Sequence, residues 1–371
     1  FLFFLIVLLV TEVERRLMFC VDGLAVVPRG VRDGERVVAA ATGWGVCVAA
    51  SPLALYIWKH RGNVGVNDPV RTALPATASA LACSREGERI FVALSSGRLL
   101  RWLRRQGAAI APMPGLPLDV DVVEVALGEE HCLALCGSSG AVWAWGSNRF
   151  GELGIGGDAI AALVVPTRLA HLERCEHIAA GWSSSAAVAA SGALFTWGWG
   201  RYSQLGHGAS ADERAPRVVE ALRGVAIARV ACGAWHTAAV SKDSVAYAWG
   251  WNRHGQLGAR TAGDGASGSA GGAASGVALR SVPGLVRALN DAMPDAVHCG
   301  ARHTIWIDSL NCKAWACGFM GGAAVKGAEL GAVCALMIPP TFKRGSLACA
   351  SGSSAWHALL LGEAAEGVDD E

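Results

Sequence analysis

Charge is scarce in this chain: Asp, Glu, Lys and Arg make up 17% of 371 residues, and the formal net charge is +1. A protein held to nucleic acid through phosphate contacts carries a clear basic excess, so no direct nucleic-acid partner is expected. Catalytic signatures are missing as well. No G-x-S-x-G elbow, H-E-x-x-H pair or P-loop occurs, and no dinucleotide fingerprint lies between a strand and a helix. Asp119 and Asp121 sit in a loop-like segment with no partner base and read as surface carboxylates. There is no C-x-x-C, and Cys132 and Cys136 have no matching second pair, so neither a zinc site nor any other metal or cofactor is expected. The twelve cysteines are dispersed, and Cys47, Cys83, Cys232, Cys299 and Cys349 lie in apolar runs. They read as buried free thiols of a reducing compartment. The one long apolar run, FLFFLIVLLV, is too short to span a bilayer and follows no basic segment. Residues 1–16 are therefore read as a hydrophobic N-terminal extension, and no membrane partner is expected of the rest of the chain. The extension reflects either a truncated or misannotated start, with Met18 as the candidate initiator, or a signal-anchor.

What is abundant is glycine (47) and tryptophan (14), within a chain that is 52% hydrophobic. This combination fits many tight turns between short strands anchored by aromatic residues. The strands recur. VALGEEHCLALCGSSGAVWAWGSNRFGELG (125–154), IAAGWSSSAAVAASGALFTWGWGRYSQLG (178–206) and VACGAWHTAAVSKDSVAYAWGWNRHGQLG (230–258) align, with Trp145, Trp197 and Trp249 each 52 residues apart. Fainter copies end at Trp58 and Trp102, another centres on Trp315, and a last one holds Gly352, again 52 beyond Gly300. Seven copies result.

Each copy runs from a short apolar stretch to a glycine, often with a histidine three residues on. It continues through a strand, a turn such as GSSG, and a second strand ending Trp-Gly. Alternation in VAYAWG and ALFTWG suits half-buried strands. About four short strands in each copy of roughly 50 residues make a propeller blade rather than a helical solenoid. The fold class is thus all-β: one seven-bladed β-propeller over residues 17–361. The last copy lacks its own Trp-Gly strand, and RRLMFCVDGLAVV is expected to complete it, placing Leu17–Val27 beside Leu347–Leu361 and removing an exposed edge. Residues 259–280 are a Gly/Ala/Ser-rich flexible insertion, and 362–371 an acidic solvated tail.

The pattern G-x-x-H-[ST] followed by Trp-Gly-x-[GN]-x-x-G-Q-L-G, clearest in GAWHTAAVSKDSVAYAWGWNRHGQLG, resembles the repeat of the regulator-of-chromosome-condensation family. The likeness is strong over 123–258, extends to Gly318, and is faint over the first hundred residues. Within the family it is greatest to small stand-alone members. That resemblance implies a nuclear and/or cytoplasmic protein that partners a Jumonji-type histone demethylase. The family's founding activity, nucleotide exchange on a Ran-like small GTPase, uses a face built from the G-x-x-H loops, and its chromatin contact uses basic tails on histones. The corresponding loop positions here are His131, Ser184, His236, His303 and Ala355; no basic tail accompanies them.

His131, His236 and His303 recur once per blade, so they spread around a circle and do not converge on a metal or nucleophile. They either hold their loops by hydrogen bonds or, with Arg302, face a partner across the propeller mouth. Trp145, Trp197, Trp249 and Trp315, each ending a strand at one register, read as inter-blade packing. Trp182 and Trp235 lie in the G-x-x-H loops, as a lid on the core or as an exposed binding hot spot. Arg98, Arg101, Arg104 and Arg105 form the densest basic run, either a solvated edge or an anchor for an acidic partner. The chain is therefore expected to be a non-enzymatic scaffold recruiting a chromatin-modifying partner. The alternative is a guanine-nucleotide exchange factor.

Overall fold

The computed structural model describes residues 10–11, 14–15, 19–21, 24–26, 37–43, 46–59, 69–104, 110–157, 160–258, 279–320, 323–324, 333–336, 348–350 and 359–361. Its core is six antiparallel sheets laid out in chain order. Blade 1 holds Ala39–Gly43, Val46–Ala50, Ala54–Lys59 and Val70–Ala73. Blade 2 holds Ala78–Cys83, Arg89–Leu94, Leu99–Leu103 and Ile110–Pro112. Val122–Leu127, His131–Cys136, Val142–Ser147 and Ala162–Arg168 form blade 3. Cys175–Ala180, Ser184–Ala189, Leu194–Gly198 and Glu213–Val218 form blade 4. Blade 5 comprises Ile227–Cys232, His236–Ser241, Ala246–Trp251 and Leu279–Leu285. Blade 6 comprises Ala296–Cys299, His303–Asp308 and Lys313–Met320, the last pairing with both Ala323–Ala324 and Cys334–Leu336.

The first strand of each blade lies against the first strand of the next, which makes these the inner strands of a ring. A hairpin of Ala348–Ala350 with Leu359–Leu361 touches the inner strands of both blade 6 and blade 1, and so sits in the gap between them. The architecture is an all-β propeller. Phe19–Val21 pairs with Leu24–Val26 as a hairpin of its own; the expected seam of 17–27 with 347–361 falls largely outside the described residues. So do most of 1–16, nearly all of the 259–280 insertion, and the 362–371 tail. Among the described residues no helix is long and apolar enough to cross a membrane.

Composition follows position in the blade. The second strands of blades 3 to 6 are buried along their whole length, and those of blades 4 and 5, SSAAVA and HTAAVS, are built of small residues. A strand covered on both faces by neighbouring sheets has no polar side, and small side chains let the sheets close up. Outer strands such as Ala162–Arg168 are largely exposed.

The tryptophans mark one register. Trp58 faces Cys47, Trp102 faces Ile90, Trp145 faces Cys132, Trp197 faces Ser185 and Trp249 faces Thr237. In blade 6 the partner of Thr304 is Cys317. Trp315 pairs instead with Trp306 and is half-buried, so it does not share the register of Trp145, Trp197 and Trp249. A two-residue shift preserves strand alternation, but Gly318 follows Cys317 as Gly250 follows Trp249, and this glycine marks the register.

This register locks successive blades. Trp197 Nε1 donates to the Glu152 carbonyl at 2.8 Å, and Trp249 Nε1 to the Gln204 carbonyl at 2.9 Å. Cys317 makes the equivalent contact in blade 6, its thiol donating to the Gln256 carbonyl at 3.1 Å. A hydroxyl one strand over reinforces each carbonyl: Ser185 to Glu152 at 2.8 Å, Thr237 to Gln204 at 2.8 Å and Thr304 to Gln256 at 2.7 Å. The variable residue of G-x-L-G thus acts through its backbone, as a buried acceptor for the following blade.

Candidate interaction face

Loops between inner and second strands, and those after the Trp-Gly strands, share one end of the ring, here the upper face. Turns between second and third strands form the lower face. His131, His236 and His303 begin second strands at the upper end but are 1%, 0% and 0% exposed, so an approaching partner does not touch them. His131 Nε2 lies 2.9 Å from Ser185 Oγ, and His236 Nε2 lies 2.9 Å from Thr304 Oγ1. Both hydroxyls already donate to carbonyls, so the ring nitrogen is assigned as the donor and the imidazole as neutral. Burial pushes both histidines down to about 3; the Arg89 charge adds to the effect at His131. The geometry favours the loop-holding role, realised as a bond to the following blade.

Glycine is required beside these rings. A methyl group at Gly233 would stand 2.3 Å from His236 Cε1 and 2.7 Å from the Gly300 carbonyl oxygen. Blade 4 keeps its glycine, Gly181, but has Ser184 in place of histidine, and the Ser184 hydroxyl has no partner among the described residues. In blade 2 the same register holds Arg89, whose guanidinium reaches the Glu129 carbonyl of blade 3.

Trp182 and Trp235 are half-buried and stack on each other across blades 4 and 5, with centroids 5.5 Å apart. They belong to a longer belt. Trp235 meets Trp251 at 4.9 Å, Tyr202 touches Trp235, Trp251 and Trp199, and Trp199 meets Phe150. At the other end Trp251 meets His254, which meets Phe319. Arg85 lies over Trp182 at 5.4 Å. Rings from blades 3 to 6 are thereby joined, nearly all of them part-exposed. Burial, followed by the charges of Arg302 and Arg253, lowers the His254 pKa. Arg302 is itself half-buried at the edge of this belt.

Sequence reasoning singled out Trp182 and Trp235 but missed most of the belt, which is assembled from residues about fifty positions apart. One available signal was the residue pair that recurs at 149–150, 201–202 and 253–254: Arg-Phe, Arg-Tyr and Arg-His.

The described arginines of the basic run are spread along one strand. Arg98 lies in a lower-face turn, while Arg104 follows the other end of Leu99–Leu103 and pairs with Glu88 at 2.7 Å. Arg101 is half-buried between them, and Arg105 lies outside the described residues, as does Ala355. At about 3.3 Å per residue, a strand of this length holds its ends on opposite faces of the ring. Between blades 2 and 3 the upper face opens into a cavity of about 890 Å³ whose lining includes Arg85, Glu86, Glu88, Glu129 and Arg149. Two of its carboxylates are engaged, Glu129 with Arg85 at 3.9 Å and Glu88 with Arg104. Among the described residues no group of three or more His, Cys, Asp or Glu side chains could hold a metal.

A ring of four-stranded blades, latched through Trp-Gly strands and carrying an aromatic belt on one end, defines a repeat propeller of the protein-interaction kind. The regulator of chromosome condensation (RCC1) repeat matches residues 139–188, 191–240 and 243–307, and a second form of the same repeat matches 122–152 and 227–256. The chain belongs to this family. It is 31% identical over 315 residues to the ultraviolet-B receptor UVR8 of Arabidopsis thaliana, covering 78% of this chain and 67% of the receptor. It is 34% identical over 225 residues to human E3 ubiquitin-protein ligase HERC2, covering 57% of this chain but 4% of the ligase. The fold is shared with human WBSCR16 at a TM-score of 0.71 and 18% identity, covering 92% and 90% of the two chains. Yeast RCC1 (Prp20) bound to Kap60 superposes at 0.72 and 17% identity, covering 89% and 81%.

Proposed function

We propose that this protein is a non-enzymatic interaction scaffold whose upper face recruits a protein partner, a chromatin-modifying enzyme such as a Jumonji-type histone demethylase, in the nucleus or cytoplasm. The observation that carries this reading is the continuous aromatic belt over blades 3 to 6. Half-buried tryptophan and tyrosine are the side chains that dominate protein–protein hot spots, because they present large apolar area with little conformational freedom to lose. The histidines that a catalytic reading would need, His131, His236 and His303, are buried and one per blade, and His131 and His236 are neutral. Among relatives of the same fold, Prp20p is described by its binding to Gsp1p and to histones, which keeps nucleotide exchange on a Ran-like GTPase as the alternative.

Affinity purification from nuclear extract tests the proposal, with the wild type beside the variant Trp182→Ala/Trp235→Ala. A chromatin-modifying enzyme recovered by the wild type and lost with the variant supports it. Recovery of no chromatin enzyme overturns it. Release of a fluorescent guanine nucleotide from a Ran-type GTPase, accelerated by catalytic amounts of the protein, would establish the alternative.

A further inference from the structure

Three arginines, Arg149, Arg201 and Arg253, occupy one position in three consecutive blades, 52 residues apart, and all three are exposed. Among the described residues none has a side-chain hydrogen bond or ion pair. Other arginines of the molecule do: Arg85 and Arg104 on the same face pair with Glu129 and Glu88, and Arg217 and Arg223 pair with Glu213 and Glu220. Arg149 shares the cavity between blades 2 and 3 with Glu86, Glu88, Glu129 and Glu130, of which Glu88 and Glu129 pair with Arg104 and Arg85. Asp212 accepts from the Gly200 amide at 2.9 Å, and the carboxylate of Glu152 is buried and accepts from the Phe150 amide at 2.9 Å.

An isolated surface arginine is an ordinary solvated side chain. What sets these apart is that each directly precedes a ring of the aromatic belt, Phe150, Tyr202 or His254. From Phe150 the belt runs through Trp199, Tyr202 and Trp251 to His254, so three cationic heads rise from one continuous aromatic floor. Its contacts span at most about 22 Å. Extended polypeptide rises about 3.3 Å per residue, so six or seven residues cross it. A guanidinium binds carboxylate through paired N–H donors, and an apolar floor that excludes water strengthens that bond.

We infer that Arg149, Arg201 and Arg253 form a docking rail for an acidic segment of a protein partner, laid in extended form across blades 3 to 5, an inference that rests on the scaffold reading above. Carboxylates at intervals along the segment engage the arginines, and its apolar side chains lie on the part-exposed rings of Trp199 and Tyr202, which Trp251 supports from beneath. Phosphates could meet the same guanidiniums, but a chain of net charge +1 lacks the surrounding basic field that holds nucleic acid.

Fluorescence anisotropy with the full chain tests this. The probes are a fluorescein-labelled peptide of about twelve residues, mostly Asp and Glu with interspersed Leu, the same peptide with Lys replacing the acids, and an oligothymidylate of about equal length. The acidic peptide is expected to bind and the lysine peptide to show no binding. Each Arg→Ala change should weaken the acidic peptide about threefold to tenfold, in line with the net contribution of one solvent-exposed hydrogen bond. The variant Arg149→Glu/Arg201→Glu/Arg253→Glu should abolish binding, while Arg223→Glu, at an exposed arginine already paired with Glu220, should leave it unchanged. If the charge-reversed triple variant does not fold, the Arg→Gln triple serves instead, with its melting temperature as control. Absence of acidic-peptide binding, equal binding by the triple variant, or tighter binding of the oligothymidylate overturns the rail. Should the triple variant still capture the wild-type chromatin partner from extract, the rail fails and the scaffold reading stands; should the wild type capture none, the scaffold reading fails.

Discussion

Trp197 Nε1 donates to the Glu152 main-chain carbonyl at 2.8 Å, which ties the third strand of blade 4 to the loop that closes blade 3. Trp249 repeats the contact with Gln204 one blade on. Both indoles are fully buried, so no water replaces the donor if it is removed. Trp197→Phe and Trp249→Phe should each destabilise the fold by about 2–3 kcal/mol, combining a lost hydrogen bond with an underfilled site. Chemical denaturation of each variant checks this, and a loss below about 0.5 kcal/mol would mean that the latch contributes little.

Blade 4 lacks the histidine that blades 3 and 5 direct at the hydroxyl of the following blade. Gly181 remains there to accommodate a ring, Thr237 supplies the hydroxyl, and the Ser184 Oγ is buried without a partner among the described residues. Ser184→His should therefore raise stability by about 0.5–1.5 kcal/mol. An increase in melting temperature is the expected reading; a decrease would show that Gly181 leaves too little room.

Gly233→Ala should destabilise strongly, because the new methyl group meets both the His236 ring and the Gly300 carbonyl. Adding His236→Ala removes only the first clash. The double variant should remain less stable than His236→Ala alone, since the carbonyl belongs to the backbone of blade 6 and cannot swing aside. Thermal melting of the three variants distinguishes this from a clash with the ring only.

Stability should fall in mild acid. His131 and His236 titrate near 3 in the folded protein against an ordinary value of 6.5. Below about pH 6.5 the unfolded chain therefore binds protons that the folded chain does not. The stabilisation is complete above that pH and is lost progressively toward pH 3, at a limiting slope of about 1.4 kcal/mol per pH unit for each ring. Denaturation midpoints measured between about pH 7 and 5 should drop in the wild type and less steeply in His236→Gln. Parallel curves would show that His236 does not carry the effect.

Much of this was legible in the chain itself. The 52-residue spacing of Trp145, Trp197 and Trp249 identified the blades, and one histidine per copy already argued against a converged catalytic centre. Trp315 misled, because in blade 6 a cysteine holds the tryptophan register two residues later and alternation is the same at either position, with Gly318 marking the register. The described arginines of the run, Arg98, Arg101 and Arg104, are divided by the fold. Neighbours in sequence were separated by a strand that crosses from one face of the ring to the other.

The sequence by itself determined the repeat, the strand alternation, the glycine beside each loop histidine, and the family that these define, because all of them are local patterns that recur. Only the tertiary structure decided which recurring residues meet. The latches join Trp197 to Glu152 and His236 to Thr304, and the aromatic belt joins Phe150 to Trp199. Each of these contacts spans dozens of residues of chain. It exists because packing one twisted sheet against the next brings equivalent loops side by side, a proximity that periodicity implies but does not assign to particular atoms.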